Sequence, residues 1–404
     1  MTARSLWMRR ASGLVAALLL IEFLDEFVFG AREAAWPFMR RDIGLSYAEI
    51  GLLLGIPGVF SGVVEPALGV LSDIWNRRAI ILGGGVLFAG ALLIAALSQS
   101  FIALLIAFVL LYPASGAFVS LSQATLMDAA PDRREHNMAR WTLAGSVGML
   151  AGPLALSGST ALGMDWRGLF VAFAALTLIP LAGAWRQPLH APGNHAADDP
   201  DSAPGSLREG LRAAWRAVRQ RDVLRWLVLL QFGDLMLDIL YGFLALYFVD
   251  VAGVSPAVAG VAVAIWAGVG LLGDALLIPL IERVPGVRYL RWSALAAVVV
   301  FPAFLLIEPL PLKLALLGAL GLLNAGWYAI PMAQLYATLP NQSGAALAAA
   351  NVSGLGASLL PLAIGTIAQA AGLDVAIWLL MAGPLALLIG LPRHAPTPQK
   401  PTEK

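Results

Sequence analysis

Between Glu22 and Trp36 the chain reads EFLDEFVFGAREAAW, an apolar run interrupted by Glu22, Asp25, Glu26, Arg32 and Glu33. On a helix these ionisable residues fall within an arc of roughly 120°, together with Phe29 and Trp36. The other side carries Leu20, Phe27, Ala31 and Ala34, suited to lipid or a neighbouring helix. An ionised side chain at a bilayer centre costs roughly 2.5–3.5 kcal/mol on insertion scales, so the stripe should face a water-filled cavity or other polar helices. Glu33 lies where a side chain could also snorkel to the interface; Asp25 and Glu26 lie about half-way along the run, where snorkelling fits less well. Carboxylates so placed suit proton exchange, cation binding, or both in competition.

Further acids stand in other apolar segments: Glu65, Asp234, Asp238 and Asp274. Asp234 and Asp238 are one helical turn apart and share a face with Gln231 and Tyr241. Away from the span ends only Arg32 opposes these acids. They cannot all be ionised in a low dielectric, so a subset holds protons near neutral pH.

The elements that position them are membrane helices. Of 404 residues, 59% are hydrophobic and 13% charged, whereas soluble proteins average about 25% charged. Apolar segments of about 20 residues or more recur twelve times, near 12–38, 46–71, 78–97, 101–127, 139–160, 166–185, 223–249, 256–281, 288–307, 312–338, 342–370 and 373–391. One long hydrophilic stretch, 186–222, divides them. Its first part, rich in Pro and Asp, reads as a flexible linker. Ser206 and Glu209 then have capping-box spacing, and Leu207, Leu211, Trp215 and Val218 line one face of a basic helix suited to an anionic membrane surface.

The halves repeat. A constant shift places Gly44-Leu45-Ser46 on Gly253-Val254-Ser255, Gly51 on Gly260, Asp25 on Asp234, Glu65 on Asp274, Asp73 on Glu282 and Pro131 on Pro340. The expected architecture is an all-α polytopic membrane protein. Its twelve transmembrane helices form two pseudo-symmetric six-helix bundles, 1–185 and 223–391, with linker 186–222 and tail 392–404. Of the 26 Lys and Arg residues, only Arg40, Arg41, Arg167 and Lys313 would lie in outer loops if the N-terminus is inside. Both termini and the linker are therefore expected in the cytoplasm, with a retained first helix rather than a cleaved leader.

Composition also excludes chemistry. The chain has no cysteine, and its four histidines, His136, His190, His195 and His394, fall in loops or the tail, so no metal site is expected. No H-E-x-x-H or G-x-S-x-G motif occurs in a span, arguing against an intramembrane enzyme. No phosphate-binding loop is present to support ATP-driven pumping. Neither a cofactor nor a nucleic-acid partner is expected.

Between the second and third spans, Gly69-Val70-Leu71-Ser72-Asp73-Ile74-Trp75-Asn76-Arg77-Arg78 resembles the signature loop of the major facilitator superfamily, G-x-L-[AGS]-D-x-x-G-R-[RK], departing from it at Ile74 and Asn76. With the spans, the repeat and the linker, the resemblance covers essentially the whole chain. It implies that Gly69, Asp73, Arg77 and Arg78 form a cytoplasmic conformational latch, with Asp73 able to pair with Arg77. Gly148-Met149-Leu150-Ala151-Gly152-Pro153 resembles the G-x-x-x-G-P core of drug–proton antiporters in that superfamily, without its trailing glycine pair. Small residues at Gly148, Gly152 and Pro153 equally allow close helix packing. The arginine those antiporters carry in the fourth span is absent from 101–127.

The resemblance also implies a central cavity lined by spans 1, 4, 7 and 10. Carried onto this chain, that lining is Glu22, Asp25, Glu26, Phe29, Arg32, Tyr112, Ser115, Ser122, Gln123, Asp234, Asp238, Tyr241, Asn324, Trp327, Tyr328 and Gln334. Trp327 and Tyr328 could instead be packing or interface aromatics, and Gln123 and Asn324 hydrogen-bond partners between helices. The expected function is proton-coupled export of a cationic or zwitterionic small molecule by a monomer in an inner membrane. The acids would supply counter-charge and the aromatics a cation–π surface. Cation-coupled uptake, with an acidic pair holding Na⁺ or a divalent metal, is the alternative; a lipid flippase fits an acidic cavity less well.

Overall fold

The computed structural model describes residues 3–74, 76–129, 134–186, 219–338, 349–350 and 353–392. The basic helix expected after Ser206 lies outside them, as does the side chain of Asp73. The described residues are helical, without strands. Nine segments among them are long and apolar enough to cross a membrane, including Tyr47–Leu68, Arg77–Leu97, Phe101–Ala129 and Pro256–Ile281. Helices α1 (Ala3–Ile43) and α6 (Arg134–Ala161) are also long enough, at 41 and 28 residues, but carry more charge.

The chain starts its helices where side chains can take up orphan amide hydrogens. Ser46 and Glu49 form a reciprocal capping box before α2 (Tyr47–Ile74): the Ser46 amide donates to Glu49 Oε2 at 2.8 Å, and the Glu49 amide to Ser46 Oγ at 3.2 Å. Asn76 caps α3 (Arg77–Leu97), and Ser100 caps α4 (Phe101–Ser115). The chain continues from α4 through a π-helical turn, Gly116–Ser120, into α5 (Leu121–Ala129). Asp165 caps α7 (Trp166–Trp185). The repeat is visible in these joints: Gly44 and Gly253 both take positive φ, 76° and 69°, and Ser46 and Ser255 follow each as caps.

Two compact units emerge. The first comprises Met1–Ser206, Tyr241–Ala267 and Gly354–Ile377. Here α1 packs most extensively on α6, backbone against backbone. A methyl at Gly148 would run into the carbonyl of Phe23, and one at Gly152 into the amide of Ala31. The apolar side of α1 is thus covered by protein, with Phe27 meeting Phe173 of α7 edge-on at 4.8 Å. A second glycine-lined approach joins α2 to the Ser353–Ala371 segment. Gly51 lies on Pro361, Gly55 on Ser358, Gly62 on Leu355, and Gly365 on the carbonyl of Tyr47. Polar contacts border that seam: Arg40 Nη1 and Tyr47 Oη donate to Asp250 at 3.1 and 2.9 Å, and the Tyr47 amide donates to Gln369 at 3.0 Å.

The second unit comprises Leu207–Leu240, Gly268–Ser353 and Trp378–Lys404. Its described helices include α8 (Arg221–Asp234), which leads through a π-helical turn, Leu235–Ile239, toward α9 (Leu240–Leu246). Helix α10 (Pro256–Ile281) is shared with the first unit by sequence, and α11 (Gly286–Leu306) packs on α12 (Leu310–Leu323). Lys313 Nζ donates to the carbonyls of Phe304 and Leu305, satisfying the last turn of α11. The tenth apolar segment is broken: after α12 the chain turns through Asn324–Tyr328 and resumes as α13 (Ala329–Thr338), with Gly326 at φ 72°.

Candidate functional site

The acidic stripe of α1 divides between two neighbours. Glu22 and Glu26, one turn apart, face α6 at Gly145, where a Cβ would lie 2.5 Å from Glu22 Oε1 and 3.3 Å from Glu26 Cγ. Asp25, Phe29 and Arg32 face a cavity of about 120 Å³, lined also by Val28, Glu65, Phe88, Leu111, Tyr112 and Ser115. Asp25 accepts from Ser115 Oγ at 2.8 Å, and Glu65 Oε1 from Ser61 Oγ at 2.5 Å. The Glu65 side chain lies flat on Gly116, where a Cβ would come 2.5 Å from its Cγ.

Arg32 is committed elsewhere. Its Nε and Nη2 donate to Glu33 Oε1, and Trp36 Nε1 donates to the other oxygen of Glu33 at 2.8 Å. Nη1 donates to Tyr112 Oη at 2.8 Å, and the guanidinium stands 4.4 Å from the Phe29 ring centroid and 5.2 Å from that of Tyr112. Arg32 and Glu33 are 3% and 1% exposed, so Glu33 is a buried counter-ion and not a snorkelling one. The net result is a small aromatic-walled cavity whose two carboxylates face a cation already neutralised by its own neighbour. Tyr241 adds a ring to this wall, stacked on Phe29 with centroids 6.1 Å apart.

In the second unit, Asp234 and Asp238 lie one helical turn apart, near enough for their carboxyl groups to interact. Asp238 lies in the π-helical turn, whose loosened ladder frees the Met236 carbonyl to accept from Asn324 Nδ2 at 3.2 Å. Asn324 therefore acts here as an inter-helix partner. Trp327 is fully buried and donates to Ser293 Oγ at 3.0 Å, anchoring the broken segment, while its neighbour Tyr328 is 61% exposed. Asp274 Oδ1 accepts from the backbone amide of Gly326 at 3.2 Å. Gln334 is half-buried on α13.

Other expected residues fall outside these clusters. Gln123 donates weakly to Met138 Sδ at 3.7 Å, and Ser122 caps back onto the Phe118 carbonyl. Arg77 Nη1 donates to Asp128 at 2.8 Å, a partner on α5 that sequence spacing did not single out, and Arg78 Nη2 donates to the Trp185 carbonyl at 2.5 Å. Phe88, which lines the cavity, and Ser61 and Gly116, which touch Glu65 beside it, are not singled out by the sequence; of these only Ser61, one turn before Glu65, carries a sequence signal. Among the described residues no three His, Asp or Glu side chains converge as a metal site.

Comparison with known proteins agrees on one family. The model described as Major Facilitator Superfamily matches residues 18–361. An uncharacterized MFS-type transporter of Yersinia pestis is 28% identical over 368 residues, 87% of this chain and 88% of its own length. A chloramphenicol resistance protein of Pseudomonas aeruginosa is 32% identical over 155 residues, 38% of this chain and 36% of its own. Among solved structures, the nucleoside transporter NupG superposes with a TM-score of 0.76 at 16% identity, covering 94% of this chain and 98% of that one. A bacterial homolog of the human lysosomal transporter Spinster, inward-facing and unoccupied, superposes at 0.74 with 18% identity and 95% of both chains.

Proposed function

The chain belongs to the Major Facilitator Superfamily, a family of transporters rather than enzymes, and on that premise we propose that it exports a cationic or zwitterionic small molecule in exchange for protons. The observation that carries this reading is the charge balance of the cavity on α1. Arg32 is held by Glu33, and among the described residues no other basic side chain lines the cavity beside Asp25 and Glu65. A cavity of that kind takes up positive charge, either protons on the carboxyls or an ammonium group against Phe29, Phe88 and Tyr112. Mutual exclusion of the two is the simplest basis for exchange. Asp234 and Asp238 offer a second proton-sharing pair in the other half. Export is favoured over uptake by the P. aeruginosa relative, whose name is that of a resistance protein. By this reading the transporter sits in an inner membrane with both termini cytoplasmic and functions as a monomer.

The test is proton flux in liposomes containing the purified protein, with polyamines, cationic drugs, amino-acid-like zwitterions, Na⁺ and divalent metals added in turn. Addition of a recognised cation should release protons, and Asp25→Asn and Asp234→Asn should each abolish gradient-driven accumulation while keeping the wild-type melting temperature. Collapse of melting temperature in both would make these acids structural. Retained accumulation in both variants, or proton movement only with Na⁺ or a metal, would overturn proton-coupled export.

A further inference from the structure

The break at Asn324–Tyr328 has an unusual hydrogen-bond account. In a continuous helix the Gly326 amide would donate to the carbonyl of Leu322, four residues earlier. Instead it donates to Asp274 Oδ1, on α10, at 3.2 Å. The Leu322 carbonyl is taken up by the Ala325 amide at 3.4 Å and approached by Tyr289 Oη at 3.5 Å. On the far side the ladder resumes, with Ile330 donating to Gly326 at 3.0 Å. Gly326 itself lies in the left-handed region, a conformation that glycine leaves at little cost. A carboxylate therefore substitutes for a backbone carbonyl at the point where the span bends.

The first half holds the same juxtaposition at the repeat-related place. Glu65, which the repeat aligns with Asp274, lies flat on Gly116, the first residue of the π-helical turn that deforms the fourth apolar segment. In each half an acid from the second segment of the repeat rests on a glycine where the fourth segment departs from α-helix. The wiring differs: Glu65 takes its hydrogen bond from Ser61 and Asp274 from the backbone itself.

We propose that Asp274 is a positioning residue, a pin that holds the tenth segment bent while it is ionised and releases it when it takes up a proton. A charge-assisted bond from the amide is about twice as strong as a neutral one. A proton arriving from water on the carboxylate removes that advantage, leaving a neutral carbonyl oxygen that competes for the amide only on equal terms with a backbone carbonyl. The acceptor within reach of the same segment is the Leu322 carbonyl, and restoring that bond straightens the span. The titratable group facing Asp274 from α11 is Tyr289, near enough for the two charges to interact; across the break, Tyr328 faces Asp234 and Asp238 of the α8 side.

The inference rests on the transporter reading, yet its test uses neither substrate nor gradient, so the two can fail separately. The cysteine-free chain allows spin labels at Ala315→Cys and Ala337→Cys, both exposed and on either side of the break. Their distance is measured on the full purified chain at about pH 5 and about pH 8.5, to either side of the range in which a carboxyl held in protein titrates. Wild type should shift to a longer distance at the lower pH. Asp274→Asn should show the longer distance at both, Asp274→Glu should recover the shift, and Tyr289→Phe should leave it intact. A wild-type distance that ignores pH, or an Asp274→Asn distribution superimposed on the bent one, overturns the proposal. So does loss of the shift in Tyr289→Phe, which would place the titration on the tyrosine. If Asp274→Asn fails to fold, the wild-type and Asp274→Glu pH series still decide.

Discussion

Replacing Glu33 by glutamine isolates the feature on which the cavity's charge depends. Both members of the Arg32–Glu33 pair are nearly sealed, with side chains 4% and 2% exposed, and Trp36 is bonded to the same carboxylate. Removing one member of a buried pair costs about 3–5 kcal/mol, because the other charge is left without compensation. Glutamine keeps one acceptor oxygen, at about half the strength of a charged one. The ring contacts of Arg32 with Phe29 and Tyr112 exist before and after the change and cancel. The expected loss is therefore about 2–3 kcal/mol. The double replacement Arg32→Met with Glu33→Leu removes both charges and should recover most of it, since apolar residues of similar volume replace buried pairs at little cost. Thermal unfolding followed by circular dichroism in detergent gives the order: wild type and the double variant close together, Glu33→Gln clearly below. In Glu33→Gln the released guanidinium is also free to turn toward Asp25, so cation binding should weaken. A Glu33→Gln protein as stable as wild type, or a double variant less stable than Glu33→Gln, would refute the account of Glu33 as the counter-ion of Arg32.

Gly148→Ala and Gly152→Ala should each lower stability by about 1–3 kcal/mol, because the added methyl enters backbone of α1. Gly158→Ala on the same helix meets nothing within 4 Å and should melt with wild type. Ser46→Ala, which removes the cap of α2, should cost about 1 kcal/mol in the same assay. Arg77→Gln should slow transport with little change in melting, and exchanging the charges as Arg77→Asp with Asp128→Arg should restore part of the rate; no recovery in the exchange would show that Asp128 is not the working partner.

The helices were legible because burial in lipid leaves so little choice: an apolar run of about 20 residues has to be a spanning helix. The limits read for 101–127 and 166–185 lie within two residues of the observed ends. The joints were legible where short-range chemistry sets them, as at Ser46-x-x-Glu49. Irregularities inside the spans were not. The break at Gly326 and the turn at Gly116 depend on acids from another helix, and nothing local in Asn324-Ala325-Gly326 distinguishes a bend from a glycine packed in a straight span. The Arg32–Glu33 pair escaped for a related reason. Adjacent helical residues do not face each other, and here they meet only because the long guanidinium bends back. The family resemblance left Trp327 either on the cavity lining or in packing, because sequence does not show that its indole donor meets Ser293 inside the bundle.

The glycine seam between α2 and the Ser353–Ala371 segment has a mechanical consequence. Surfaces that interlock through long side chains resist separation like meshed gears, since every tooth must change rotamer to disengage. Gly51, Gly55 and Gly365 meet backbone and leave few such teeth, Leu355 against Gly62 being one, and the joint resembles a plain bearing that parts or slides with little side-chain rearrangement. The Tyr47 amide donates to Gln369 across it, and at its rim Arg40 and Tyr47 hold Asp250 of the neighbouring turn, partly open to water and therefore to ions. Salt at that membrane face would act as a clutch, loosening the rim while leaving the bearing surfaces untouched. The lifetime of the closed seam should shorten as ionic strength rises and lose that dependence in Arg40→Gln, a pair of single-molecule measurements that a gear-like joint would fail.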